Sequence, residues 1–371
     1  MKKIAFLLII ILLMIVSKSA FAEQYKINDS TNLYFGGLVR SYYSNDQRIE
    51  WSGLEATFGA EGVINSTIEK YISIGKVTVE GEFYLNQPFG RNILSDELRD
   101  KYKTNFEIET LEISKLNIQF ELKDFVIKLG KDETPFGRTY FQTFSNFYFG
   151  APFIRTEAIL WRETGLFINY KPGLLSLNLA VVNGEENKDT NSSKAAIARI
   201  GIDGKNYVFG VSGKYQDGIG SGRQKTFKNH FGIDFMARYL NLTLSGEVIY
   251  DKYGLYRDYN EDEIFWERSL YYRDTFYKDE TPITGVGGYL NVGYKYAKLS
   301  LDINYGLYDH KKIGNPYHDD PNSRGILKIA YNLTTELQVF GMGLLENKRK
   351  TEPWKSDAKP FAFEVGLQYK F

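Results

Sequence analysis

Gly285-Val286-Gly287-Gly288-Tyr289-Leu290-Asn291-Val292-Gly293-Tyr294-Lys295-Tyr296 decides the fold. Val286, Gly288, Leu290, Val292, Tyr294 and Tyr296 fall on one face of an extended chain. Gly287, Tyr289, Asn291, Gly293 and Lys295 fall on the other. Successive side chains of a strand point to opposite sides, so this segment has one face suited to hydrocarbon and one suited to water. The next segment, 298–307, repeats the pattern, with Leu299, Leu301, Ile303, Tyr305 and Leu307 set against Ser300, Asp302, Asn304 and Gly306. By this reading only Ala297 separates the two, so the connection is a tight turn.

Working outward, the same alternation recurs at 207–215, 231–239, 242–250, 175–181 and 325–331, in segments of about ten residues, the length at which a tilted strand crosses a bilayer. In the segment 111–120, Leu111 and Ile113 lie in one phase and Leu116, Ile118 and Phe120 in the other, which predicts a β-bulge near Ser114 and Lys115. The chain divides into about sixteen strands, with starts from near Leu33, Trp51 and Ile72 through to Leu333 and Lys359. Short links (122–124, 170–173, 203–205, Leu240, Ala297, Asn332) alternate with long ones (86–105, 131–159, 183–194, 216–228, 251–284, 309–322, 346–358). That sorting belongs to a membrane barrel with short periplasmic turns and long outer loops. The expected fold class is therefore all-β: a transmembrane antiparallel β-barrel.

Both chain ends agree. Lys2 and Lys3 precede an apolar run, 4–16, and Ala20-Phe21-Ala22 follows, the pattern of a secretory signal peptide cleaved after Ala22. The run covers roughly 20 Å of a hydrocarbon layer about 30 Å thick, too little for a spanning helix. This gives a signal peptide over 1–22 and a barrel over 23–371. The last strand places Phe361, Phe363, Val365, Leu367, Tyr369 and Phe371 outward and ends on Gly366-x-x-Tyr369-x-Phe371, which resembles the C-terminal signal read by the barrel-assembly machinery. A strand finishing on the last residue has to close the barrel or leave a bare edge.

Composition narrows the function. With 28 Tyr and 26 Phe, aromatics make up 16% of a chain that is polar overall, as a barrel with aromatic girdles, a wet interior and wet loops requires. There is no cysteine, so no disulfide. Basic and acidic side chains balance at 46 each, and loss of Lys2, Lys3 and Lys18 with the leader tips the mature chain slightly acidic. Nothing here points to nucleic acid. Outer-membrane localisation among lipids, passage of small hydrophilic solutes and no cofactor are the expectations.

Phe125-Val126-Ile127-Lys128-Leu129-Gly130-Lys131-Asp132-Glu133-Thr134-Pro135-Phe136-Gly137 runs into a long aromatic stretch. It resembles the phosphate-selective porin O and P family, in which a strand ending in Gly-x-x-x-x-Pro-Phe leads into such a loop after the fifth strand. The resemblance implies a sixteen-stranded porin, a homotrimer, and a third outer loop, near 131–159, that folds inward. It also implies anion passage, phosphate included. The rows of arginines and the lysine cluster of the phosphate-selective members are not found along this sequence.

A pore selects by width and by charge at its narrowest point. The candidate constriction residues are Lys131, Arg138, Arg155, Glu157, Arg162 and Glu163, where opposed charges set a transverse field. The interior face expected from phase carries Glu80, Glu82, Lys128, Arg199, Asp203, Lys214, Asp234, Arg238, Glu247, Lys298, Asp302, Lys328, Glu336 and Lys370. Both signs are interspersed, which predicts weak ion selectivity. Acidic clusters at 258–263 and 318–320 invite a calcium reading, but neither has the glycine and glutamate positions of an EF-hand, and no metal site is assigned. The alternatives are a non-conducting adhesive or binding barrel and a barrel hydrolase. Against the hydrolase stand only three histidines, His230, His310 and His318, without a Gly-x-Ser-x-Gly or His-Glu-x-x-His motif.

Overall fold

The computed structural model describes residues 23–46, 56–87, 111–137, 162–184, 192–219, 226–255, 283–311, 322–347 and 361–371. The expected signal peptide, 1–22, lies outside them. The described residues form strands β1 (Glu23–Asn28), β2 (Thr31–Asp46), β3 (Ala56–Ile72), β4 (Gly75–Gln87), β5 (Leu111–Leu122) and β6 (Phe125–Glu133). Then come β7 (Arg162–Tyr170), β8 (Leu175–Val182), β9 (Ala195–Asp203), β10 (Tyr207–Ile219), β11 (Thr226–Tyr239) and β12 (Leu242–Leu255). The last five are β13 (Ile283–Tyr296), β14 (Leu299–Lys311), β15 (Asn322–Asn332), β16 (Leu337–Asn347) and β17 (Phe361–Lys370).

Each strand from β2 to β17 pairs antiparallel with the next, and β17 pairs with β2, closing a ring of sixteen. Closure leaves the ring no open edge, which is the condition for a sheet to sit in hydrocarbon. At one end the links are two to four residues long; at the other they are long segments.

Burial is inverted relative to a soluble protein. Leu129 is 62% exposed, and Leu166, Ile200, Val248, Leu290, Ile303, Ile329 and Val365 are exposed beside it on the outward phase. The inward phase buries Arg40, Glu61, Glu163, Arg199, Lys214, Asp234, Glu247, Arg324 and Glu364. Charged residues are almost never fully buried in a soluble core unless paired, and an apolar face this wide needs lipid. Rings collect at the short-turn end: Tyr170, Tyr207, Tyr239, Tyr296, Tyr331 and Tyr369 stand at or next to that end of their strands, and Phe125 stacks on Tyr170 with centroids 4.2 Å apart.

The bulge near Ser114 is present. Glu82 faces Lys115 but Phe83 faces Ile113, so Ser114 is the extra residue and its side chain is buried. Three two-residue turns place a non-glycine residue at positive φ: Lys123, Leu240 and Ala297. Each is strained by about 1–2 kcal/mol, held by the hairpin that encloses it.

The ring has the expected sixteen strands, one short strand lies outside it, and the readings of Asn332, Glu336 and Lys298 are corrected. A seventeenth strand, β1, pairs with residues 31–35 of β2, below the stretch that β17 uses; since β3 occupies the other edge of β2, β1 continues the line of β17 past the C-terminus. Asn332 is not a lone link, because residues 333–336 form a turn. Its Thr334 hydroxyl oxygen accepts from Glu336 N and Leu337 N at 3.1 and 3.0 Å. Glu336 consequently sits in that turn, not on the interior face, with hydroxyl donation from Thr335 and Thr334 holding its carboxyl below the ordinary range. Lys298 likewise belongs to the turn at 297–298 and donates to Leu333 O.

Gly130 explains the glycine of the β6 motif. Its φ is +128°, and a Cβ there would stand 2.2 Å from Leu116 O. Gly130→Ala meets both the forbidden backbone region and a backbone clash, so a loss of about 2 kcal/mol or more is expected. A lower denaturant midpoint of the detergent-solubilised barrel checks it; an unchanged midpoint contradicts it.

Candidate functional site: the inner wall

The inner wall is built from the second face of each strand, so its chemistry follows from residues two apart. At the seam where first and last ring strands meet, Arg40 of β2 reaches Glu61 of β3 at 3.0 Å and Glu364 of β17 at 2.9 Å. Tyr42 donates its hydroxyl to Glu61 at 2.8 Å, and the guanidinium lies over the rings of Tyr42 and Phe340, 4.9 and 5.3 Å from their centroids. Gly59 makes room for this, since a Cβ there would lie 2.2 Å from the Tyr42 ring.

A second group spans β9 to β11. Arg199 donates to both carboxylate oxygens of Asp234, at 2.9 and 2.8 Å, and lies 3.5 Å from Asp203. Between β4 and β7, Lys115 reaches Glu133 at 3.0 Å, Arg162 reaches Glu82 at 3.2 Å, and Gln119 donates to Glu80 at 2.8 Å. Lys128 meets Asp132 at 2.6 Å. Nearer the short turns, Lys76 bridges Glu69 and Glu121.

Beside these charged groups the wall also carries an apolar patch. Phe167, Ala180, Val182, Ala195, Ile197 and Val208, on β7 to β10, all face inward and are buried. Residues 134–137, which follow β6, run toward this arc. Gly137 N donates to Ser212 Oγ of β10 at 2.9 Å. Phe136 is fully buried, with its ring edge-on to His230 and seated over Gly232 of β11, where a Cβ would lie 2.9 Å away. Lys214 of β10 and Glu163 of β7 pair at 3.0 Å with both side chains buried, so an ion pair joins the start of β7 to the same arc.

Of the six constriction candidates, Arg162 and Glu163 are paired as described. Lys131 shares the register phase of outward Leu116 and Leu129 and donates to Ile113 O at 2.7 Å. Arg138, Arg155 and Glu157 lie outside the described residues, as do both acidic clusters. The inward face expected from phase is found for Arg199, Lys214, Asp234 and Glu247. The seam residues Arg40, Glu61 and Glu364 and the latch formed by Phe136 and Gly232 were not anticipated. Alternation assigns Arg40 and Glu61 to one face, but only the closing register brings Glu364 to them.

No protein-family model matches the chain, and no curated protein matches it in sequence. Solved structures match over nearly its whole length. OmpT, an outer membrane protein of Vibrio cholerae, aligns with a TM-score of 0.64 at 10% identity, covering 94% of this chain and 100% of that one. A trimer form of that protein aligns with a TM-score of 0.64 at 11% identity, covering 92% of this chain and 100% of that one. An anion-selective porin from Comamonas acidovorans aligns with a TM-score of 0.61 at 14% identity, covering 92% of this chain and 99% of that one. At such identities the likeness is one of fold: a closed outer-membrane barrel.

Proposed function

We propose that this chain is an outer-membrane porin, a water-filled channel for passive diffusion of small hydrophilic solutes and ions, working as a homotrimer. The observation that carries the reading is the inverted ring: lipid-suited side chains outside, charged and amide side chains inside, with no open edge. The porin and the trimeric protein among its structural neighbours support the class and the assembly. The third outer loop narrows the channel in this reading. Support comes from its two tethered ends, Gly137 on Ser212 and Glu163 on Lys214, and from the apolar arc between them, which suits the rings of Tyr140, Phe141, Phe144, Phe147, Tyr148, Phe149 and Phe153. Cleavage after Ala22 and delivery to the barrel-assembly machinery by the terminal Gly366-x-x-Tyr369-x-Phe371 complete the proposal.

Phosphate specificity gains no support from the wall. Arg40, Lys115, Lys128, Arg162, Arg199 and Lys214 each stand within 4 Å of a carboxylate, which cancels the field an anion would follow. The expected result in planar bilayers is an open channel whose reversal potential in a salt gradient gives cation and anion permeabilities within a small factor of each other. Protein that inserts but passes no current removes the pore and favours the adhesive alternative; a strongly anionic potential with block by phosphate restores the specialised family function.

A further inference from the structure

We propose that Asn291 and Asn304 form a subsite for neutral, hydroxyl-rich solutes on the inner wall; the inference rests on the pore reading above. The two stand directly opposite one another on β13 and β14, which puts their Cβ atoms about 5 Å apart. Both point inward, because Leu290, Ile303 and Tyr305 on the alternate phase are exposed. Both are buried, at 6% and 2% exposure, yet Asn291 Oδ1, Asn304 Oδ1 and Asn304 Nδ2 have no hydrogen-bond partner.

An unsatisfied buried polar group costs about 1–3 kcal/mol, and native proteins hold few of them. Three on one adjacent pair is a wall with bonding capacity reserved for something else. The chemistry of the reserve is specific: two acceptors and one amide donor. Vicinal hydroxyls match it, since each gives a hydrogen and can take one back. A phosphate dianion has at most one hydrogen to give, too few for two acceptors, and on this stretch of wall it would meet two carboxylates, Glu247 and Asp302, against the one ammonium of Lys328. An ammonium ion donates but offers Nδ2 no acceptor. Ser245 lies opposite Asn291 in register and adds a further hydroxyl, while Tyr289, the preceding inward residue on β13, adds an aromatic ring. Saccharides are the solute class with this combination of diol edges and an apolar C–H face.

The experiment uses the full-length mature protein in planar bilayers, with sucrose, inorganic phosphate and arginine added separately to one open channel. Sucrose is expected to interrupt the current at the lowest concentration. Asn291→Leu combined with Asn304→Leu keeps the branched four-atom shape of each side chain and is expected to raise the sucrose half-blocking concentration about tenfold with open-channel conductance little changed, the equivalent of one or two net hydrogen bonds. Asn304→Ser, which puts a single hydroxyl in place of the amide, is expected to give an intermediate shift and stands in if the double variant does not fold. Equal sucrose block in either folded variant, or stronger block by phosphate or arginine, overturns the subsite while leaving the pore intact. Insertion without conductance overturns the pore reading and the subsite with it.

Discussion

Arg40→Met is expected to lower the stability of the closed barrel by about 3–5 kcal/mol, the cost of removing one partner from a buried ion pair. Arg40 stands between two carboxylates on the strands that flank it, with all three side chains at 3% exposure or less. Methionine fills most of the volume and contributes no charge, so Glu61 and Glu364 are left facing each other across the seam. Their repulsion acts where β17 is held to β2, the last pairing needed to complete the ring. A lower urea midpoint in detergent and a smaller folded fraction by gel mobility are the readouts. Adding Glu61→Gln and Glu364→Gln to Arg40→Met removes the stranded charges and is expected to recover most of the loss. If the single variant matches the native midpoint, or the triple variant fares no better than the single one, the pairing does not hold the seam.

What alternation can and cannot show is visible in the same strands. Segments 285–296 and 299–307 are legible because lipid on one side and polar surroundings on the other impose a strict period of two, and the slip at Ser114 is legible because that period breaks there. β1 escapes because six residues, with Tyr25 and Ile27 its exposed apolar side chains, carry too little pattern to register. The turn at 333–336 escapes because its residues continue the phase of the strand beside them. Partner choice is hidden for another reason. Glu163 and Lys214 are 51 positions apart and Glu82 and Arg162 are 80, so their pairing depends on barrel curvature and stagger, which no local pattern encodes.

Phe136→Ala and Gly232→Leu are expected to have the largest effect on conduction, and they act on the same contact from opposite sides. Alanine removes a fully buried ring, at a typical cost of about 3–5 kcal/mol in a packed site. Leucine fills the space the ring occupies, since even a Cβ at Gly232 lies within 2.9 Å of it. Either change frees the start of the third loop from β11 and leaves Gly137 N on Ser212 Oγ as its described tether to β10. Conductance scales with the area at the narrowest point, so if the third loop narrows the lumen as proposed, its withdrawal is expected to raise single-channel conductance roughly twofold and to admit larger neutral solutes. Ser212→Ala added to Phe136→Ala is expected to extend the increase, because the remaining tether is then lost. The strands themselves stay paired, so gel mobility and strand content are expected to be unchanged. Should both variants insert, remain folded and conduct as the native channel does, residues 134–137 are packing inside the barrel and the narrowest point lies elsewhere along the wall.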